Sequence, residues 1–255
     1  MVGVTGRPVT VRGGAAPAGL LLAVAAAAWV WVVTRWGGMP AMPGTMGLGP
    51  AAFLAVWTLM TAAMMLPGTA PVAALYARTI TAHRTPRMIV FTAAYLLVWA
   101  AAGLPAYALA AGLGRAGGLP AATGTAVAAA VFFVGGAYQL TPLKERCLAK
   151  CRSPVGQLLR YSSYPGRSRD LRAGVHHGGF CLGCCWSLMV LLAAFGVMNL
   201  WAMVVLTGVI TAEKLAPAGH LIARLVGIAS IALAVAVFWF PELAPGLTGG
   251  GRAGM

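Results

Sequence analysis

Apolar residues in this chain fall into long unbroken runs, without the alternation of a half-buried strand or the one-sided stripe of a surface helix. The runs cover about 18–33, 51–76, 88–111, 122–141, 179–197, 200–217 and 220–240. Each is close to the ~20 residues that a helix needs to cross a hydrocarbon core. Polar and Gly/Pro-rich stretches separate them. The pattern predicts an all-α, polytopic transmembrane helix bundle of about seven spans. Residues 1–17 form an N-terminal tail, 18–240 the bundle with a basic loop at about 142–178, and 241–255 a C-terminal tail. The first run follows Arg7 and Arg12, as in a signal peptide. It continues into Thr34, Arg35 and Trp36 in place of a small-residue cleavage site, so it is read as a retained helix.

Composition sharpens this by exclusion, since 60% hydrophobic and 9% charged residues do not describe a soluble domain. The formal charge of +14 arises from 18 Lys+Arg against 4 Asp+Glu. In a soluble protein that excess would point to nucleic acid. Here it sorts by loop. With the N-terminus in the cytoplasm, fifteen of the 18 basic residues fall inside and only Arg35, Arg115 and Arg252 outside, the asymmetry of a positive-inside topology. The expected partner is therefore a lipid bilayer, with no nucleic acid, and the expected location is the bacterial cytoplasmic (inner) membrane. No phosphate-binding loop is visible, so energised pumping by this chain alone is not expected, and no residue is assigned a catalytic role.

Candidate chemistry is confined to one region. All 5 cysteines lie where the fourth run ends and the fifth begins, as a C-x3-C pair, Cys147 and Cys151, and a C-x2-C-C group, Cys181, Cys184 and Cys185. One buried cysteine usually packs as a small hydrophobe. Five in two clusters at the roots of adjoining spans form a candidate site. Thiolates are soft ligands for Cu(I), Zn(II) or iron–sulfur clusters, and helical spacing would set each pair on one face. Lys144, Arg146, Lys150 and Arg152 are expected to lower the neighbouring thiol pKa values. His176 and His177 precede Cys181, and His177 is a candidate nitrogen ligand.

Thioethers extend the pattern. Met39, Met42 and Met46 stand in the first outer loop, and Met60 and Met64 share a face of the second run, so a soft-metal path is conceivable from outer thioethers to inner thiols. Met is also a common filler of apolar cores. Glu213 and Lys214 close the sixth run, and a charge at mid-bilayer costs about 2.5–3.5 kcal/mol on insertion scales. Depth therefore decides whether they are a solvated helix end, or whether Glu213 pairs with Lys144 or completes a metal shell. An echo, Trp57-Thr58-Leu59-Met60 against Trp186-Ser187-Leu188-Met189, fits an inverted repeat.

Taken together, Trp57 to Pro67 with Pro71, Tyr138 to Lys144, Cys147, Cys151 and Arg152, Gly179 to Trp186, Gly196 to Asn199, and Glu213-Lys214 resemble a bacterial family of unknown function, 2182. Its members are described as predicted metal-binding integral membrane proteins. The resemblance implies a metal but neither its identity nor an activity. The reading is an integral membrane protein that binds copper or zinc through cytoplasmic-side cysteines and takes part in metal handling, with a metallochaperone or cuproenzyme as partner. Two alternatives stay open: a membrane thiol-disulfide oxidoreductase, and a structural subunit with a zinc clip.

Overall fold

Amides that lose water must be satisfied within their own segment, and a long apolar run does this by coiling into a helix. The computed structural model describes residues 15–36, 44–116, 121–166 and 168–248, and every regular element among them is helical. In chain order these are α1 (Ala15–Trp36), α2 (Pro50–Arg78), α3 (Arg84–Ala116), α4 (Ala121–Gln139), α5 (Pro142–Cys151), α6 (Pro154–Ser162), α7 (Arg169–Phe195), α8 (Leu200–Leu215) and α9 (Gly219–Ala236). A 3-10 turn, Pro241–Leu243, and the short α10 (Pro245–Thr248) follow.

Six of these helices, α1, α2, α3, α4, α7 and α9, are long and apolar enough to cross a membrane. The segment expected as a further span, 200–217, forms α8. With 16 residues it reaches about 24 Å, short of a hydrocarbon core of about 30 Å. The spanning helices also turn much of their apolar surface outward. Only 28% of the apolar window of α9 and 33% of that of α3 is buried, and Leu97 of α3 and Leu225 of α9 are exposed, as are Trp201 of α8 and Trp239 just past α9. A water-soluble protein does not expose such continuous apolar area.

Most of the stretch expected as a basic loop, 142–178, is helical, in α5, α6 and the start of α7. Thr141 caps α5 by accepting the backbone N–H of Lys144, and Pro142 and Pro154 open α5 and α6, the positions where a missing N–H costs nothing. The expected fifth span also begins ten residues early, at Arg169. Pro67 and Pro71 lie inside α2 and Pro105 inside α3.

Helix α7 is the hub, touching α3, α4, α5, α6, α8 and α10. Its approach to α3 depends on glycine. A Cβ on Gly174 would fall 2.3 Å from the carbonyl oxygen of Phe91, and one on Gly178 would fall 2.9 Å from Cβ of Val98. At the end of the bundle rich in Arg, Asp170 ties three helices together. It accepts Tyr76 Oη at 2.5 Å, Arg87 Nε at 2.8 Å and Arg87 Nη2 at 3.0 Å. Helices α5 and α6 fill the space beside α7 at this end, and α8 ends there. That geometry carries Cys181, Cys184 and Cys185 and the Glu213-Lys214 dipeptide into the protein interior.

Candidate metal centre

Two turns of α7 present Cys181, Cys184 and Cys185 to the interior, where each is at most 1% exposed. The last residue of α5, Cys151, comes to them from the side. Cys184 Sγ lies 3.3 Å from Cys185 Sγ and 3.6 Å from Cys151 Sγ. Two thiolates on one tetrahedral metal at about 2.3 Å each stand about 3.8 Å apart, so these separations are close to those of shared ligands. No three His, Cys, Asp or Glu side chains among the described residues are arranged to hold a metal ion, so the sulfurs meet in pairs. All five cysteines are free thiols.

Cys147 stands apart. It is on the face of α5 turned to α7, but its sulfur lies over Gly183, where a Cβ would come within 2.9 Å. From there it borders an apolar cavity of about 780 Å³ that is also lined by Trp57, Trp99, Tyr138, Trp186 and Met189. Burial pushes its thiol pKa up, against the downward pull of Lys144. The expectation that basic neighbours would lower it is thus reversed here, because desolvation of the thiolate outweighs one nearby cation.

The sulfur of Cys181 is held differently from those of Cys184 and Cys185. Tyr95 Oη lies 3.1 Å away and Lys214 Nζ donates to it at 3.1 Å. One turn earlier, His177 is buried with Nδ1 at 2.8 Å from Gln157 Oε1, an oxygen that also accepts Tyr161 Oη. The Gln157 amide is oriented by its Nε2, which donates to the carbonyl of Lys150 at 2.6 Å. Nδ1 therefore carries the proton, and the lone pair of His177 is on Nε2, as in a ligating histidine whose other nitrogen is tied down.

Glu213 and Lys214 are not a solvated helix end. They are 1% and 6% exposed. Glu213 receives Lys144 Nζ at 2.6 Å and Gln139 Nε2 at 3.1 Å, so its carboxylate is taken up by side chains of α4 and α5. The same Lys144 ammonium donates to the carbonyl of Cys184 at 2.5 Å. Arg152 closes this end of α8 through the carbonyls of Glu213, at 2.6 Å, and Pro217, at 2.9 Å.

Met60 and Met64 are fully buried in α2. Met60 faces a narrow crevice bordered also by Met46 and Met198, at the end of the bundle away from Asp170. Met39 and Met42 lie outside the described residues. Sequence reasoning passed over Tyr95 and Gln157, whose roles depend on contacts 86 and 20 residues away, and Tyr161, which joins them only through Gln157.

A family model described as "PpoB2: Copper chaperone" matches residues 54–237. That range takes in both cysteine clusters and all the buried polar side chains just named. No curated protein and no solved structure matches.

Proposed function

We propose, since the chain belongs to the PpoB2 copper-chaperone family, that it is a multi-pass protein of the bacterial cytoplasmic membrane which takes up Cu(I) on its buried thiols and passes it to a cuproenzyme or a second carrier. Cys184 is the central ligand, pairing with Cys185 or with Cys151, and Cys181 stands one turn away on the same helix. The observation that carries this reading is the position of Cys184 Sγ, 3.3 Å from Cys185 and 3.6 Å from Cys151 inside the bundle. Soft sulfur ligands favour Cu(I), and with copper as cargo the zinc alternative loses its support. His177 Nε2 is a further donor within a turn of Cys181.

Loading is ligand exchange. Sulfur–copper bonds form as bonds to the incoming carrier break, the ion remains Cu(I), and the displaced thiol protons go to the departing ligands or to water. A small ion can be handed along buried sulfurs in this way. Disulfide exchange is harder to accommodate, because a partner protein's sulfur must approach in line with an accessible one, and Cys181, Cys184 and Cys185 are enclosed.

The test is elemental analysis of the purified full-length protein after Cu(I) loading, comparing wild type with Cys184→Ser. About one copper per chain in the wild type and near none in the variant is expected. Equal copper in both would remove the thiol centre from consideration.

A further inference from the structure

Three methionines from separate parts of the chain line one crevice at the end of the bundle away from Asp170. Met46 comes from the turn before α2, Met60 from α2 itself and Met198 from the turn between α7 and α8, and the last two are buried. The crevice is too narrow to admit a water molecule, and every described residue that lines it is uncharged. Phe53 and Trp57 complete its wall, with Trp57 fixed by its Nε1, which donates to the carbonyl of Trp99 at 2.9 Å. The turn that supplies Met46 has an unusual backbone. Met46 is held at φ 58°, in the left-handed region that residues with a side chain seldom enter, between Gly44 at φ 80° and Gly47 at φ 72°. Gly44 seats this turn on α3, where a Cβ would fall 2.8 Å from Cα of Gly114. Such a conformation persists only where the surrounding structure over-determines it, and it recurs at ligand clamps.

We propose that Met46, Met60 and Met198 form a second metal site, built of thioethers alone, which holds a monovalent soft cation, Cu(I) or Ag(I), apart from the thiols. Copper as cargo is taken from the reading above, but the site itself needs no cysteine. Thioether sulfur is soft and carries no proton to lose, so it holds Cu(I) or Ag(I) in preference to Zn(II). With neutral ligands and no carboxylate on the wall, the bound ion keeps its full charge. A protein interior tolerates one positive charge far better than two, and the neighbouring aromatic rings attract a cation through their quadrupoles. A bare Cu(I) ion is smaller than water, so it sheds its former ligands on entry and the sulfurs replace them, with no proton released and no change of oxidation state. The two sites are distinct. Gly68, over which Lys214 reaches Cys181, lies eight residues beyond Met60 on α2, about 12 Å along the helix. Met64, fully buried and on the same face as Met60, stands between them along the axis.

Full-length protein in detergent is titrated with Ag(I), and separately with Zn(II), by calorimetry. Ag(I) stands for Cu(I), having the same charge and a filled d shell. The proteins are wild type and C184S, each with and without M46L/M60L/M198L, since leucine keeps the volume of methionine and removes only the sulfur. In both backgrounds the three substitutions are expected to remove about one equivalent of Ag(I) per chain and to leave Zn(II) binding as it was. Should the triple variant not fold, M46L alone decides. It is expected to weaken Ag(I) binding at this site at least about tenfold, the loss that even an outer-shell partner produces. M65L, at an equally buried methionine outside the crevice, is expected to change nothing. Ag(I) binding indifferent to the three methionines overturns the proposal, and so does an M65L variant as impaired as M46L. C184S binding as much Ag(I) as wild type is the failure of the thiol centre, and the methionine site then stands if the three substitutions still remove its equivalent.

Discussion

The Lys144–Glu213 pair, with both side chains 1% exposed, bears directly on Cys184, because the same ammonium donates to the Cys184 carbonyl. Breaking one half leaves the other as an uncompensated buried charge, worth about 3–5 kcal/mol, whereas replacing both with apolar groups of similar size is much less costly. Glu213→Gln is therefore expected to lose several kcal/mol of stability in an SDS unfolding titration, and the Lys144→Met/Glu213→Leu double variant to recover most of it. Cys147 offers a second test at this scale. Its raised thiol pKa means that little thiolate is present near neutrality, so its alkylation by a maleimide should be slow at pH 7.5 and still climbing above pH 9. A rate that levels near pH 8 would contradict the dominance of burial. The thiol clusters were legible in the sequence because cysteine is confined to them. Their partners were not. Tyr95 looks like any aromatic in an apolar run, and Lys214 could be read either as part of a solvated helix end or as a buried charge, since depth is a property of how α8 packs and leaves no mark on the residue.

Helix packing explains both what the pattern of apolar runs revealed and what it hid. The boundaries of α2, α4 and α9 follow the expected runs within a few residues, because bilayer thickness and apolar length are the same constraint. Helices α5 and α6 were concealed by their polarity, although Thr141-Pro142 and Ser153-Pro154 are helix-start signals. Read as such, they would have turned a presumed loop into the element that delivers Cys151. The α3–α7 contact can be tested through two glycines five residues apart. Gly174→Ala places a methyl 2.3 Å from the backbone oxygen of Phe91, which cannot move without parting the helices, whereas nothing lies within 4 Å of a Cβ on Gly179. Overpacking costs of about 1–3 kcal/mol are expected for Gly174→Ala, against a change within about 0.5 kcal/mol for Gly179→Ala. Thermal unfolding of the two variants in the same detergent distinguishes them, and equal losses would mean that α3 and α7 are not held by this contact.

At the scale of the whole molecule, many apolar side chains face outward while Lys144, Asp170, Glu213 and Lys214 are enclosed, the reverse of a soluble domain, and the basic residues mark one end. Asp170 joins the close of α2 to the starts of α3 and α7 at that end, while Gly246 of α10 sits against Gly196, just past α7, at the other. The cation bias predicts that the first end faces the cytoplasm. In a Cys147→Ser background, a cysteine placed at the exposed Ser163 should react with a membrane-impermeant maleimide only after cells are permeabilised, and one at Trp239, 71% exposed, in intact spheroplasts. The reverse pattern would invert the bundle. On the proposed function this orientation decides which side each kind of sulfur is nearer, because Cys151 hangs from the short helices of the basic end while the crevice lined by Met46, Met60 and Met198 lies toward the other. If the basic end is cytoplasmic, the thiols are the ligands nearer the compartment that keeps sulfur reduced, and the thioethers, which cannot form disulfides, stand toward the oxidising side. A labelling result in the expected sense would therefore place each kind of sulfur where its own chemistry survives.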